Sequence, residues 1–372
     1  MPARLTLFPN WLAAAIAGCL LAACHPTLRV AGIRFENHAR FELPDTQISR
    51  FALHHTYPLY GSDSTGSYYV FFQEDEQKLY AWDADSLAYR FTIDLSGYRP
   101  AGFRLNASNV LYIGLQSLDS IWLGLPPAGT ADFTHRNLLW LTDRRGRHLG
   151  RWSLADPRLP PFPANRDTNR FLFVHLGENN RIALAGGRLA LPLVAWGVYL
   201  GEADFTAPTK PAGLVFDPRR DTLVPMAQSV PPLPDPAGAG RWPWSYGCPM
   251  LVGGPNGRFL LSFAFSDTVY HIDAAGQVVQ RLCLASEQVP QVRPLAHAYN
   301  FREQTVARVP EKPCWSHLYY DRWRNQYLRG YQRATPTEAG EQAEAYRYGL
   351  CLYDVAGRLL AQDTLPTGWY PW

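Results

Sequence analysis

The amino-acid sequence predicts an all-β protein built as a β-propeller, with six blades favoured and five to seven compatible with the pattern. Three observations point to this fold. A hairpin of similar sequence recurs along the chain, its copies are spaced at intervals that suit one blade each, and no long amphipathic helix is recognisable between them.

Each copy of the repeated hairpin is a short apolar strand that ends in an aspartate, followed by a tight turn and a second strand. The five aspartates are Asp83, Asp143, Asp217, Asp273 and Asp354. The intervals between them are 60, 74, 56 and 81 residues, and a four-stranded blade with insertions fits each interval. Two candidate strands within residues 28–43 are expected to supply or complete a sixth blade.

The repeated aspartates are predicted to be structural. A carboxylate at this position can accept backbone N–H bonds from its own turn. Gly146, Gly276 and Gly357 supply the positive φ angle that tight hairpins need. The pattern therefore favours turn formation over a ring of catalytic acids. Residues 317–331 are predicted to form a further hairpin of the same style.

The first residues of the chain have the pattern of a secretion signal. Arg4 gives a positive start, and an apolar run from Trp11 to Ala23 is too short for a membrane-spanning helix, which needs about 20 apolar residues. The run ends at Leu21-Ala22-Ala23-Cys24, which resembles the lipobox of bacterial lipoproteins, where the cysteine thiol receives a diacylglyceryl group before cleavage. The sequence Ile16-Ala17-Gly18-Cys19 also fits a lipobox, but cleavage there leaves a very short apolar core. An ordinary cleaved signal with two incidental cysteines is a further alternative.

These signals divide the chain into three parts. Residues 1–23 are expected to be a lipoprotein signal peptide, and residues 24–50 a lipid-anchored segment that could complete the last blade. Residues 51–372 are expected to form the propeller. Neither an aspartate nor an acidic cluster follows Cys24, and by resemblance to lipoprotein sorting rules this favours an outer-membrane anchor facing the periplasm.

Composition argues against some classes of partner. The chain has 35 basic and 32 acidic residues, a net charge of +3, which is too small to indicate nucleic-acid binding or attraction to an anionic membrane surface. The basic clusters at Arg144–Arg147 and Arg219–Arg220 lie at predicted hairpin tips. The protein is therefore expected to attach to the membrane through its lipid anchor alone.

Motifs that carry chemistry are not recognisable in the sequence. Nucleophile elbows, zinc-binding His-Glu-x-x-His, paired CxxC, P-loops and dinucleotide-binding glycines are absent, so no catalytic residue, metal or cofactor is predicted. His54-His55 is a close histidine pair, but neighbours on a strand point to opposite faces.

The cysteines that follow Cys24 allow disulfides in an oxidising compartment. Cys248 and Cys314 each adjoin a proline and precede the strands of a blade, which makes them the favoured pair among three possible connectivities. Free thiols are the alternative and suit Cys283 and Cys351, which lie within predicted strands.

An aromatic and basic stretch suggests a ligand surface. Trp242, Trp244 and Tyr246 lie in an irregular segment that leads into a blade, and Trp315 and His317 hold the same place in the next blade. Aromatic faces near a guanidinium suit stacking on sugars or other organic ligands. Arg302, between the two segments, could add the charge. The favoured interpretation is nevertheless structural, with these tryptophans plugging the channel or packing between blades.

The pair of segments at residues 317–329 and 348–357 resembles the C-terminal part of a family of Bacteroidota lipoproteins of unknown function, the domain of unknown function 4221. The resemblance implies a propeller-like fold with an envelope location, and it carries no substrate or catalytic residue. The sequence as a whole favours a lipid-anchored propeller that binds a protein or small ligand. The alternative is a periplasmic hydrolase or lyase that uses polar residues in the channel.

Replacing Cys24 with serine is expected to abolish lipidation, because the thioether to diacylglycerol requires the thiol. Fatty-acid labelling, fractionation and mass spectrometry of the purified chain measure the outcome, with Cys19→Ser as the matched control that keeps the label. A Cys24→Ser chain that still carries acyl groups would assign lipidation to Cys19.

Overall fold

The computed structural model describes residues 56–63, 66–73, 78–95, 112–125, 138–153, 171–173, 182–195, 211–228, 249–289, 314–334 and 346–365. Within these ranges the chain forms β-strands, tight turns and a short 3-10 turn at Pro255–Gly257. No helix in this part of the chain has the length and apolarity needed to cross a bilayer.

The strands form five antiparallel sheets, each made of consecutive strands of the chain. Blade 1 contains β1 (Thr56–Asp63), β2 (Gly66–Gln73), β3 (Lys78–Asp83) and β4 (Tyr89–Asp94). Blade 2 contains β5 (Tyr112–Ser117), β6 (Ser120–Leu125), β7 (Leu138–Thr142) and β8 (His148–Ser153). Blade 3 contains β9 (Phe171–Phe173), β10 (Ala183–Ala185), β11 (Arg188–Ala195), β12 (Gly213–Asp217) and β13 (Thr222–Pro225), with β9 and β10 pairing with opposite ends of β11.

Blade 4 contains β14 (Met250–Gly253), β15 (Phe259–Ser262), β16 (Thr268–Ile272) and β17 (Val278–Cys283). Blade 5 contains β18 (Cys314–Asp321), β19 (Gln326–Ala334), β20 (Tyr346–Tyr353) and β21 (Leu359–Thr364). The predicted hairpin at residues 317–331 is present as the turn between β18 and β19.

The described residues form five blades, whereas the sequence favoured six. Each repeated aspartate ends or directly follows the third strand of one sheet, so the repeat marks the outer hairpin of a blade and occurs once in each. The additional blade depends on the strands expected within residues 28–43, which lie outside the described residues. The five repeated turns, without that addition, account for the five blades.

One edge strand of each blade lies beside the corresponding edge strand of the next, as around a propeller axis. β1 contacts β5, β5 contacts β10, β10 contacts β14, and β14 contacts β18. Glycine permits this close approach. A Cβ on Gly114 of β5 would lie 2.9 Å from the Ile182 Cβ, and a Cβ on Gly253 of β14 would run into the Leu184 carbonyl oxygen.

Burial follows position within a blade. All residues of β12 and β15 are buried, because these strands lie in the middle of their sheets and are covered on both faces by neighbouring blades. The outer strands β4 and β17 are mostly exposed, and each has one buried residue, Ile93 in β4 and Leu282 in β17. The hydrophobic core lies between the blades. One cluster of buried hydrophobic residues joins blades 1 and 2, another joins blades 2 and 3, and the largest joins blades 3, 4 and 5.

The aspartate turns have the predicted chemistry. In blade 2, Asp143 Oδ1 accepts the backbone N–H groups of Arg145 and Arg147, each at 2.9 Å, and the Arg147 side chain donates to Oδ2 at 2.6 Å. Asp354 in blade 5 is bound in the same way, with Arg358 on its second oxygen. These two turns therefore use both oxygens of the aspartate carboxylate.

The outer turn of blade 4 also fixes the end of blade 3. The Ala227 N–H donates to the Gly276 carbonyl oxygen at 2.7 Å. Gly276 has a φ of +76°, and a Cβ there would lie 2.6 Å from the Pro225 carbonyl oxygen. Gly276 is thus required both by its backbone conformation and by the neighbouring blade.

Gly276→Ala is expected to lower the free energy of unfolding by about 2–4 kcal/mol, from the left-handed backbone together with the contact on Pro225. Gly257→Ala is the matched control. Gly257 has a φ of +70°, but a Cβ there meets its nearest neighbour, the Gly186 Cα, at an ordinary 3.5 Å. Urea unfolding followed by fluorescence measures both, and equal losses would show that the contact with blade 3 contributes nothing.

Candidate functional site

The predicted ligand surface is only partly within the described residues. The structure describes Trp315 and His317. Trp242, Trp244, Tyr246 and Arg302 lie outside the described residues, as do the predicted lipidation site Cys24 and the predicted disulfide partner Cys248. A surface shared by all six ligand-binding candidates therefore stays a prediction.

Trp315 lies between two blades. It is the second residue of β18, and its side chain is 1% exposed. The indole N–H donates to Asp267 Oδ1 at 2.9 Å, and the backbone N–H donates to the Ala264 carbonyl oxygen at 3.0 Å. Both acceptors belong to the loop between β15 and β16 of blade 4. For Trp315 the geometry favours packing between blades over contact with a ligand.

Arg329 of β19 lies against the same indole. It is fully buried, and its guanidinium carbon is 3.8 Å from the centroid of the Trp315 ring. Nη2 donates to Ser262 Oγ at 2.7 Å and to the Ser266 carbonyl oxygen at 2.9 Å, and Nη1 donates to the Leu284 carbonyl oxygen at 3.2 Å. We call these five residues, with Asp267 and Tyr353, the Arg329 cluster.

The charge of Arg329 is stabilised without a direct ion pair among the described residues. Burial lowers the pKa of Arg329 to about 10, while Tyr353 and Asp267 oppose that shift. The side chain therefore stays protonated at neutral pH. An aromatic face and neutral oxygen acceptors take the place of water around it, which is an arrangement that suits a planar guanidinium better than an ammonium group.

Tyr353 completes the cluster on its blade 5 side. Its hydroxyl lies 3.1 Å from the Leu284 carbonyl oxygen and 3.0 Å from that of Ala285, to which it donates. Burial raises the pKa of Tyr353 and also that of the nearby Cys351 thiol, so both groups are neutral. The cluster thus joins the two blades through hydrogen bonds that are internal to the protein.

His317 lies on the other face of β18. The pairing of β18 with β19 shifts register between Trp315 and His317, which is the mark of a β-bulge. Leu318 packs in the same core cluster as Trp315, so strand alternation turns His317 away from it. The His317 ring stacks on Tyr319 with centroids 6.0 Å apart, and its Nδ1 lies 2.8 Å from Ser316 Oγ.

The predicted disulfide concerns Cys314, which is buried at the start of β18. The Gln332 side-chain amide donates to its sulfur at 3.4 Å. Because Cys248 lies outside the described residues, the pairing stays a prediction. Cys283 and Cys351 are free thiols, the former exposed and the latter buried.

A second polar contact joins blades 4 and 5. His271 of β16 is buried, and its Nε2 lies 3.2 Å from the hydroxyl of Tyr327 on β19. Burial, with a smaller contribution from Arg258, lowers the pKa of His271, and burial raises the pKa of Tyr327 to about 12. Both groups are therefore neutral near pH 7, and the contact is a hydrogen bond between blades.

Hydrogen bonds within their turns hold the pKa values of Asp83 and Asp354 below the ordinary carboxyl value. Backbone and side-chain hydrogen bonds from Ser86, with Arg90 next, lower the pKa of Asp83 to about 2. Hydrogen bonds from Arg358 likewise lower the pKa of Asp354. Their stabilising effect is present above the ordinary carboxyl pKa near 4 and is lost as the pH falls through the folded-state value. These groups hold turns and are not proton donors at neutral pH.

Within the described ranges, no three His, Cys, Asp or Glu side chains come together as metal ligands would. The adjacent histidines His54 and His55, for which no metal site was predicted, lie outside those ranges.

The most exposed large apolar side chain of the described residues is at the tip between β18 and β19. Trp323 is 65% exposed, and the Arg322 guanidinium carbon lies 4.4 Å from the centroid of its ring. Asp321 Oδ1 accepts the backbone N–H groups of Trp323 at 2.9 Å and Arg324 at 3.1 Å. The indole is thus presented to solvent on a turn that is itself hydrogen-bonded.

Sequence reasoning did not identify Arg329 or Asp267. A signal for Arg329 is present, since Tyr327, Arg329 and Tyr331 alternate along β19 and all three are buried. An arginine at the inward position of such a strand indicates a buried cation. Its acceptors in blade 4 are more than 40 residues away in sequence, and the alternation does not identify them.

Comparisons with known proteins show similarity of fold. No family model matches the chain, and no curated protein matches its sequence. A member of the DUF4221 family from Bacteroides vulgatus superposes with a TM-score of 0.59 at 11% identity, over 84% of this chain and 82% of that chain. This likeness confirms, at the level of the fold, the resemblance predicted from the sequence.

Two further solved structures are more distant. Hydrazine synthase from Kuenenia stuttgartiensis superposes with a TM-score of 0.38 at 11% identity, over 90% of this chain and 70% of that chain. A protein of unknown function from Bacteroides caccae superposes with a TM-score of 0.33 at 10% identity, over 83% and 93% of the two chains.

Arg329→Ala is expected to lower the free energy of unfolding by about 3–5 kcal/mol, because it removes the stacked ring contact and leaves buried acceptors without donors. Arg329→Lys keeps the charge but not the planar fork, and is expected to lose an intermediate amount. The control is Arg281→Ala, since Arg281 is exposed and lies 5.7 Å from the Tyr270 ring, and a loss under about 1 kcal/mol is expected. Urea unfolding measures all three, and an Arg329→Ala chain within about 1 kcal/mol of the wild type would contradict the assignment.

Proposed function

We propose that this protein is a lipid-anchored β-propeller of the cell envelope that binds a protein partner through the exposed tip at residues 321–325. The proposal combines the lipobox resemblance at Cys24, the blade fold and the geometry of that tip. The anchor is proposed to hold the protein at the outer membrane on the periplasmic side.

The exposure of Trp323 is the observation that carries the binding role. Burying a large apolar ring against a partner gains free energy in proportion to the area removed from water, and the Trp323 residue is 65% exposed. Tryptophan and arginine are the residues most enriched at the energetic centres of protein interfaces. Arg322 and Arg324 flank the ring, so the tip offers both kinds of contact.

The tip is also held in place before any partner arrives. The Arg324 side chain donates to Asp321 Oδ2 at 2.8 Å, and the Tyr320 hydroxyl donates to Asn325 Oδ1 at 2.7 Å. Asn325 takes a φ of +54°, which closes the turn. A preformed tip loses less conformational entropy on binding than a mobile loop, which favours affinity.

The polar groups elsewhere in blade 5 support a binding role over catalysis. Asp354 is held by its own turn, and Arg329 is held by the cluster between blades. These groups serve the fold, whereas the tip of the first hairpin presents a largely exposed tryptophan to solvent. The aromatic segment with Trp242, Trp244, Tyr246 and Arg302 is a second candidate surface for a small ligand.

A photoreactive amino acid at position 323 is expected to capture a specific envelope protein in intact cells. Position 279 is the matched control, because Val279 is 45% exposed on the outer strand of blade 4. With the captured protein purified, Trp323→Ala is expected to weaken binding by about 30-fold without changing stability. Identical adducts at both positions, or unchanged affinity of the Trp323→Ala chain, would remove the tip as the binding surface.

A further inference from the structure

A cleft of about 260 Å³ lies between the outer hairpin of blade 3 and the outer turn of blade 4. Its apolar walls are formed by two valines of β12 and β13 and by two alanines of the neighbouring turn: Val215, Val224, Ala274 and Ala275. Its polar side is formed by Arg188, Asp217, Arg220 and Thr222. The cleft therefore has an apolar part and a charged part, as small-molecule sites do.

The charged part has more cations than anions. Asp217 uses one carboxylate oxygen for the Arg219 backbone N–H at 3.0 Å and the other for Arg188 Nε at 3.1 Å. The ion pair thus involves the Nε atom of Arg188, a residue that also lines the cleft. Arg220 adds a second, exposed guanidinium. Of the charged residues that line the cleft, Arg188 and Arg220 are cationic and Asp217 is anionic, so the lining carries one net positive charge.

The walls of the cleft are fixed relative to each other. The Ala227 N–H donates to the Gly276 carbonyl oxygen across the two blades at 2.7 Å. Within the blade 4 turn, Asp273 Oδ1 accepts the Ala275 and Gln277 N–H groups, each at 2.9 Å. The cleft is therefore formed without a ligand, which lowers the entropic cost of filling it.

We propose that this cleft binds a small monocarboxylate with a short aliphatic chain. Guanidinium groups match the geometry of a carboxylate, and the single uncompensated charge favours a monoanion over a phosphate dianion. The carboxylate lies between Arg188 and Arg220 and accepts from the Thr222 hydroxyl, and the aliphatic chain contacts Val215 and Val224. A volume slightly below the usual 300–1,000 Å³ of ligand pockets restricts the chain to a few carbons.

Calorimetry or saturation-transfer NMR with butyrate and the purified full chain tests the proposal. Butyrate is expected to bind with one site per chain, butanol to bind at least about tenfold more weakly, and inorganic phosphate not to displace butyrate. Arg220→Gln is expected to weaken the binding of butyrate by at least about tenfold. Arg220 is exposed, so the variant is expected to fold normally.

Arg281→Gln is the control, because this arginine is exposed on β17 and does not line the cleft. Equal affinity for butyrate in the Arg220→Gln and wild-type chains would overturn the proposal, as would equal binding of butanol. Displacement by phosphate would show a general anion site and would overturn the monocarboxylate assignment. The cleft lies on blades 3 and 4, so these outcomes are independent of the Trp323 experiments on blade 5.

Discussion

The burial of the Arg329 guanidinium is the constraint that fixes blades 4 and 5 relative to each other. Removing an ion from water costs several kcal/mol, and the cost is offset only where acceptors replace the lost solvent. Blade 4 supplies Ser262, Ser266 and Leu284 as acceptors, while blade 5 supplies the arginine and the Trp315 face. The acceptors come from one blade and the donor from the other. The hydrogen bonds therefore form only when the two blades hold a fixed position relative to each other.

The architecture was largely predictable from the sequence because its signal is local. Asp143 and Asp354 each close a turn with N–H groups no more than four residues away, so a short stretch contains the whole interaction. The expected sixth blade had no such turn of its own and depended on apolar strands in residues 28–43, a weaker signal. Periodic alternation shows that a strand can exist, whereas only the repeated turn shows how many blades there are.

The site was less predictable because its contacts join distant segments. Trp315 was identified by its aromatic neighbourhood, but its partner Asp267 lies 48 residues earlier, and the Ser262 acceptor of Arg329 lies 67 residues earlier. A single bulge at Ser316 also separates Trp315 from His317, although the two residues are nearly adjacent in sequence. Residue type thus indicated that the segment was unusual, while blade-to-blade packing determined what each side chain contacts.

The hydrogen bond from Ala227 to Gly276 has a directional consequence for motion. It ties the end of the last strand of blade 3 to the turn of the following blade, and the backbone of Gly357 approaches Cys283 of blade 4 in the same sense. In both cases the end of the last strand of a blade is covered by the outer turn of the following blade. Local opening of the outer turn of blade 4 or blade 5 therefore uncovers the end of the last strand of the blade before it. Amide exchange at Ala227 accordingly reports on opening of the blade that follows it in the chain as well as on opening of its own.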